Sequence, residues 1–399
     1  MKHLFIGSFV TSGQDNYIKA DNKTILTIST TTFQRAFVSG FYGCENPPYI
    51  INCPDIGSWP KRSNKLFVKE SNEILFGCCC SNLSFCNLTR FKSASIFHSL
   101  VKGGVSWANQ YPNETKIITV YGLMYPYVKA AVKIKQMVPN IKICCIVADL
   151  PEYFNDSKSR LYKLFEKSKA IYKLVKSIDS FVLLTKQMCD PLNIGDRPWM
   201  IMEGLYQPHE SLSVVKIPKS VLYTGKLDSR FGIKHLVDSF KAVNDNDAEL
   251  WICGDGIDRS YVVNAAKLDK RIKYFGVISQ NEVFKKQQEA SLLINPRLPF
   301  DEYTKYSFPS KTLEYLASGT PTLMYKLPGM PEEYCQYIVL LDESQDDSIT
   351  KALQIWFGKD QEYLNEFGYK ARQFILNNKT SSVQVNKYLD FINYIYGDR

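Results

Sequence analysis

A chain of two successive α/β domains, each a parallel sheet wrapped by helices, is predicted by three observations. Short apolar runs alternate with longer stretches of helical period from one end to the other. At 399 residues the chain exceeds the roughly 250–300 residues at which a single core stops growing. Residues 204–219 carry two prolines and weak periodicity, the composition of a linker. The expected division is therefore 1–205 and 206–375, with 376–399 a terminal helix that is a candidate to pack back on the first domain.

In the first domain the apolar runs place strands at 4–9, 24–28, 116–121, 141–147 and 181–185. In the second they fall at 220–224, 249–253, 272–275, 291–295, 321–324 and 338–341. From 361 to 399 the pattern, with Phe391, Ile392 and Ile395 on one face, is that of one or two helices without a further strand. In such a fold ligands bind at the carboxyl ends of the strands, and with two domains the expected place is the crevice between them.

Composition narrows the function classes. The formal charge of +9, from 49 Lys and Arg against 40 Asp and Glu, suits an anionic partner, whether nucleotide, nucleic acid or membrane surface. No basic and aromatic module of nucleic-acid spacing accompanies it, so nucleic acid is not expected. Eleven cysteines without C-x-x-C spacing read as reduced thiols, and four scattered histidines give no metal-ligating pattern. Neither a signal peptide nor a run of 18 apolar residues is found, so the expectation is a cytoplasmic protein.

The richest motif runs from Tyr306 to Pro321. Pro309 and Ser310 are helix openers, and Leu313, Leu316 and Ala317 follow at helical spacing, so a helix begins near Ser310 and ends near Ser318 and Gly319. Unpaired amides at Ser310, Lys311 and Thr312, the positive helix end and the Lys311 charge suit a diphosphate. Glu314, one turn in, suits paired hydroxyls such as those of a ribose. The competing reading is an amphipathic helix with a solvated Glu.

Further candidates lie at other strand ends. Gly225, Lys226 and Arg230 follow the first strand of the second domain as a glycine turn with two cations, which is an anion site or a plain β–α turn. Gly254 and Gly256 form a G-x-G without a third glycine and read as a tight turn only. Gly13, after the first strand of the chain, permits close approach to a phosphate. Asp149 just past a strand is either a reacting carboxylate or a helix cap. Residues 158–176 form a basic amphipathic stretch whose apolar stripe packs in the core or whose lysines meet an anionic membrane.

The ordered series Gly225-Lys226-Leu227, Gly254-Asp255-Gly256, Phe275-Gly276-Val277, Asn295-Pro296 and Leu313-Glu314-Tyr315 through Pro321 resembles the second domain of retaining glycosyltransferases of family 4, over roughly 220–335. The resemblance implies the GT-B architecture, two facing Rossmann-like domains with a cleft between them. It implies a nucleotide-sugar donor on the second domain, with Glu314 on the ribose, Lys226 in place of a diphosphate-binding Arg, and Phe275 to Val277 beside the base. The family's first glutamate of E-x7-E falls on Tyr306, for which Asp301 or Glu302 could substitute. Its second basic residue falls on Phe231, for which Arg230 or Lys311 could compensate. Asp149 occupies the neighbourhood of the family's first-domain histidine.

The resemblance implies a cofactor-free, metal-independent hexosyltransferase in bacterial surface polysaccharide synthesis. Its acceptor would be a lipid-linked or free oligosaccharide, at the inner face of the membrane. Asp149, Lys226, Lys311 and Glu314 are the expected catalytic residues. Gly13, Lys226, Arg230, Phe275, Val277, Ser310, Lys311, Thr312 and Glu314 are the expected donor contacts. A non-catalytic nucleotide-sugar-binding subunit and a GT-B epimerase are the alternatives.

Overall fold

The structure is a computed structural model; it describes all residues except 26–27, 154–168, 210–211, 213 and 398–399. The chain divides into two units, Met1–Leu205 with Ser381–Arg399, and Tyr206–Thr380. The terminal segment that joins the first unit thus starts at Ser381, where the sequence pattern had placed the change at 376.

The first unit is built on β1 (Lys2–Gly7), β2 (Tyr49–Asn52), β3 (Phe67–Val68), β4 (Ser71–Leu75), β5 (Cys78–Asn82), β6 (Phe85–Cys86), β7 (Lys116–Tyr121), β8 (Ile141–Val147), β9 (Ser180–Leu183) and β10 (Trp199–Ile201). Eight of these form one sheet in the order β10-β9-β8-β7-β1-β2-β5-β4, while β3 and β6 pair separately. All neighbours in the large sheet are parallel except β4 and β5. Its central strands are continuous apolar runs, because helices cover both faces of a parallel sheet. β7, for example, is buried at every residue. Phe76 and Gly77, both at positive φ, make the two-residue turn that folds β4 back on β5.

Three local outcomes differ from the pattern reading. The run expected as a strand at 24–28 leads instead into the helix Ile28–Ser39, with Leu26 and Thr27 outside the described residues. The Asp21 carboxylate explains the loss of the strand. It accepts hydrogen bonds from the Lys23 and Asn64 amides at 3.2 and 2.7 Å and from the Ser63 hydroxyl at 2.9 Å, diverting the backbone from sheet pairing. The strands β2, β3, β4, β5, β6 and β10 lie outside the expected runs, and Cys78 and Cys80, read from the sequence as reduced thiols, are the buried face of β5. Of the basic stretch 158–176, residues 158–168 lie outside the described residues. In the remainder Ile171 and Val175 are buried while Lys169, Lys173 and Lys176 are exposed.

The second unit contains β11 (Ile217–Thr224), β12 (Glu249–Cys253), β13 (Ile272–Gly276), β14 (Ala290–Asn295), β15 (Thr322–Tyr325) and β16 (Val339–Leu341). They form one parallel sheet in the order β13-β12-β11-β14-β15-β16. The order reverses direction between β11 and β14, and the loops leaving the carboxyl ends of those two strands therefore diverge around an open crevice. The helix Ile233–Lys241 buries Ile233, Leu236, Val237 and Phe240 against the sheet. Two helices, Gln361–Asn378 and Ser381–Tyr396, end the chain; the second packs Val385, Tyr388 and Ile392 into the core of the first unit. Among the described residues no helix is long and apolar enough to cross a membrane.

Candidate functional site

The loops at the carboxyl ends of β11, β12 and β14, with the helix Lys311–Ala317, bring one group of charged side chains together in the second unit. Gly225, directly after β11, has φ +145°, and a Cβ there would stand 1.5 Å from Lys311 Nζ. Only glycine leaves that space. The Lys311 ammonium fills it and donates to the Thr224 carbonyl. Gly254, from the G-x-G after β12, closes in from the other side, where a Cβ would meet the Gly225 carbonyl at 1.8 Å. The turn after β12 therefore buttresses the turn after β11. Hydrogen bonds join them, among them Gly225 N–H to Cys253 O at 2.8 Å, Leu227 N–H to Asp255 O at 2.9 Å and Asp258 N–H to Leu227 O at 3.0 Å.

The helix carrying Lys311 is fixed to the same strand end by a buried phenol. Tyr315 accepts from the Thr224 amide at 2.8 Å and lies 3.0 Å from the Thr224 hydroxyl. At the helix start Thr312 N–H donates to Pro309 O at 2.9 Å and Leu313 N–H to Ser310 O at 3.2 Å. The expected Thr312 amide is thus already used within its own turn. Among the described residues the amides of Ser310 and Lys311 have no backbone acceptor, and they are the donors left at this end.

Burial lowers the Lys311 pKa to about 8; the neighbouring Glu314 carboxylate opposes the shift and the Arg297 guanidinium adds to it. Glu314 is open to solvent at its surface, yet enough protein surrounds it that desolvation raises its pKa, against the pull of Lys311 and His209. A hydrogen-bonding partner with hydroxyls, or a cation, would favour its charged form. Lys226 is exposed at the tip of the turn. Arg230 is committed elsewhere: its guanidinium grips Asp228, Nη2 to Oδ2 at 2.7 Å and Nε to both carboxylate oxygens at 3.2 Å. Asp228 in turn caps the short turn Ser229–Phe231 by accepting from the Arg230 amide.

At the far edge of the sheet Phe275 stands edge-on to Trp251, ring centres 6.2 Å apart, and Lys286 Nζ lies 3.9 Å above its ring. Val277 is 75% exposed beyond it. Tyr306 ends the 3-10 turn Glu302–Tyr306, and Asp301 and Glu302 stand exposed at its start.

Sequence reasoning missed Arg297, two residues past β14. It is only 7% exposed, with its ring neighbours Tyr303 and Phe231 at 4.4 and 5.8 Å. A charged residue directly after an apolar strand and a proline was the signal available. Tyr315 was missed as well, being indistinguishable in sequence from any core aromatic.

In the first unit Asp149 follows β8, next to Tyr121 on β7, whose phenol feels its charge. Asp149 is reachable by solvent but crowded by protein, and desolvation raises its pKa to about 6. It caps no described residue. Gly13 is not open to a phosphate as expected, because its amide donates to the Glu73 carboxylate at 3.0 Å.

Residues 218–356 match the protein family described as Glycosyl transferases group 1. A search of the curated proteins finds no match. Solved structures of similar fold include the sucrose-phosphate synthase of Thermosynechococcus elongatus (14% identity, 99% of each chain covered, TM-score 0.61). They also include TarM of S. aureus in complex with UDP and alpha-GlcNAc-glycerol (12% identity, 98% of this chain and 100% of that one, TM-score 0.59). HepE of Anabaena in complex with UDP is a third (12% identity, 98% of each chain, TM-score 0.59). At such identity the likeness establishes the fold, which is the GT-B fold of glycosyltransferases in its two Rossmann-like domains.

Proposed function

We propose that the chain is a retaining glycosyltransferase of family 4 type that moves a hexose from a nucleoside-diphosphate sugar to a lipid-linked or oligosaccharide acceptor. The observation that carries this reading is the Lys311 ammonium seated in the Gly225 turn at the strand-order reversal, with Glu314 one helical turn beyond. When the bond from the sugar to the diphosphate breaks, negative charge grows on the leaving oxygen. Lys311, Lys226 and the amides of Ser310 and Lys311 stabilise it without reorganising, which is usually the largest catalytic term. Glu314 holds the ribose hydroxyls, Phe275 and Val277 flank the base, and Asp149 serves the acceptor. No step calls for a metal. The second unit's match to group 1 glycosyltransferases and the UDP held by TarM and HepE support a nucleoside diphosphate as the leaving group. Surface polysaccharide synthesis at the cytoplasmic face of a bacterial membrane is the setting that this chemistry suits.

A second reading, a nucleotide-sugar-binding subunit without turnover, is favoured by Tyr306, which cannot hold sugar hydroxyls as a carboxylate does. Calorimetry against UDP, GDP and dTDP identifies the base. Incubation with radiolabelled nucleotide sugars and a bacterial lipid extract then separates the readings. Label transferred to lipid supports the transferase, tight binding with no transfer supports the subunit, and a changed free nucleotide sugar means an epimerase. Failure to bind any of the three nucleotides removes both leading readings.

A further inference from the structure

Arg297 stands on the loop leaving β14, opposite the Gly225 turn across the reversal of strand order. An arginine does not shed its proton in a protein, so a buried one needs acceptors for its charge. What the chain supplies to Arg297 falls short. Nη2 donates to the Ser307 hydroxyl at 3.0 Å, the guanidinium also interacts with the Tyr303 hydroxyl, and its carbon sits 4.4 Å from the Tyr303 ring centre and 5.8 Å from that of Phe231. Its Nε is buried and has no hydrogen-bond partner among the described residues. No carboxylate lies within ion-pair distance among the described residues. The nearest influence of a full charge besides Asp301 is another cation, Lys311, whose ammonium the guanidinium repels.

Two cations that crowd each other at a strand-end crevice, one of them with an unused donor, describe a place for a polyvalent anion. A single carboxylate would satisfy one of the two. A diphosphate, with oxygens on two phosphorus centres, suits both. Arg230, the other arginine of this neighbourhood, is held in a forked pair by Asp228 and has no such vacancy.

We propose that Arg297 is the second cation of the diphosphate site, donating from Nε to a phosphate oxygen, and that Arg230 is a structural residue of the β11 turn. This rests on the function proposed above and assigns the leaving group a contact from the β14 loop. The packing of Phe231 and Tyr303 against the guanidinium then positions it, in place of a salt bridge that would compete with the ligand.

The test is calorimetry of the full chain with inorganic pyrophosphate as the probe. Wild type binds it; Arg297→Gln binds about tenfold to a hundredfold more weakly, as expected for a lost hydrogen bond between charged groups. Arg297→Lys retains part of the affinity, and Arg230→Gln stays within about twofold of wild type. Wild-type affinity in Arg297→Gln overturns the assignment, as does a loss confined to Arg230→Gln. Glucuronate in the same cell separates a carboxylate site from a phosphate site, and a loss of glucuronate binding alone in Arg297→Gln also overturns it. Should Arg297→Gln fail to fold, the Nε–H resonance of wild type, identified by its absence in Arg297→Lys, decides instead. It shifts on adding pyrophosphate, and a signal that stays put refutes the contact. If wild type itself binds neither pyrophosphate nor any nucleoside diphosphate, the function proposed above fails too, an outcome distinct from binding that ignores Arg297.

Discussion

After the first strand of each sheet a glycine lies near the strand end, Gly13 as the second residue of the helix Ser12–Lys19 and Gly225 directly after β11, and the two turns are occupied by side chains of opposite charge. At the end of β1 the Glu73 carboxylate, reaching over from β4, takes the Gly13 amide at 3.0 Å, lies 3.4 Å from the Ser12 hydroxyl, and is itself held by Asn82 Nδ2 at 2.7 Å. At the end of β11 the Lys311 ammonium occupies the Gly225 turn, and Arg297 crowds it from β14. A helix start attracts anions in either place. In the first unit the protein provides that anion itself, whereas in the second it provides cations and leaves the anion to come from outside. Strand–glycine–helix geometry therefore permits a phosphate site without implying one. The side chains that other strands bring to the turn decide which kind of site results.

The largest effect should come from closing the second turn. Gly225→Ala places a side chain at φ +145° and drives its Cβ into Lys311 Nζ. The backbone conformation alone costs roughly 1–3 kcal/mol. We expect a lower melting temperature, and transfer activity below that of any single-charge variant, because the ammonium is expelled along with the turn. An alanine variant that melts and turns over like wild type would mean that the turn does not hold Lys311.

Next in size is removal of the charge alone. Lys311→Ala should lower turnover by about 10²–10³-fold, the range for losing one preorganised donor to a developing oxyanion, with a smaller change in donor KM. The pH profile sharpens this. The ammonium is the active form and its pKa is lowered to about 8, so kcat/KM should fall as pH rises through about 8. Lys311→Arg, which stays charged, should abolish that fall. Unchanged turnover in Lys311→Ala ends the comparison, since the second turn would then be no more an anion site than the first.

The contrast between the turns also marks what was legible in the sequence. The α/β class, the six strands of the second sheet and the Lys311 and Glu314 helix could be read because each is local, a matter of spacing within a dozen residues. Arg297 packs on Phe231, and its charge is felt by Lys311, only because strand order sets β14 beside β11. Glu73 meets Gly13 across a separation of 60 residues. Arg230 read as a free cation because nothing in a sequence says that Asp228, two residues away, folds back to pair with it rather than facing water. The nonlocal partners, Glu73 and Arg297, decided the sign of each turn, and sequence spacing carries no record of them.

Asp149 tests the first unit from the acceptor side. Its folded pKa, about 6, exceeds the ordinary aspartate value of 3.8. The folded protein thus holds this proton more tightly than the unfolded chain. Stability from this group is complete below about pH 4 and is lost as pH climbs to about 6, staying lost above it. Asp149→Asn should therefore melt higher than wild type at pH 7 and equal to it at pH 4, by an amount that solvent access keeps small. If Asp149 serves the acceptor, the same variant loses transfer while keeping its affinity for the nucleotide. A fall in stability at pH 7 would show instead that the carboxylate is a structural cap.

The smallest effect belongs to Glu73. Glu73→Gln keeps an acceptor for the Gly13 amide and removes the charge, so stability should drop by about 1 kcal/mol or less and donor affinity should not change. Glu73→Ala goes further and uncovers both the Gly13 amide and the Asn82 amide group. If nucleoside diphosphate then binds more tightly than to wild type, the first turn is a phosphate site that the protein keeps covered, and the two turns differ in occupancy and not in kind. Unaltered affinity in Glu73→Ala leaves Glu73 as the permanent occupant of its helix start, and confines phosphate recognition to the turn where Lys311 stands.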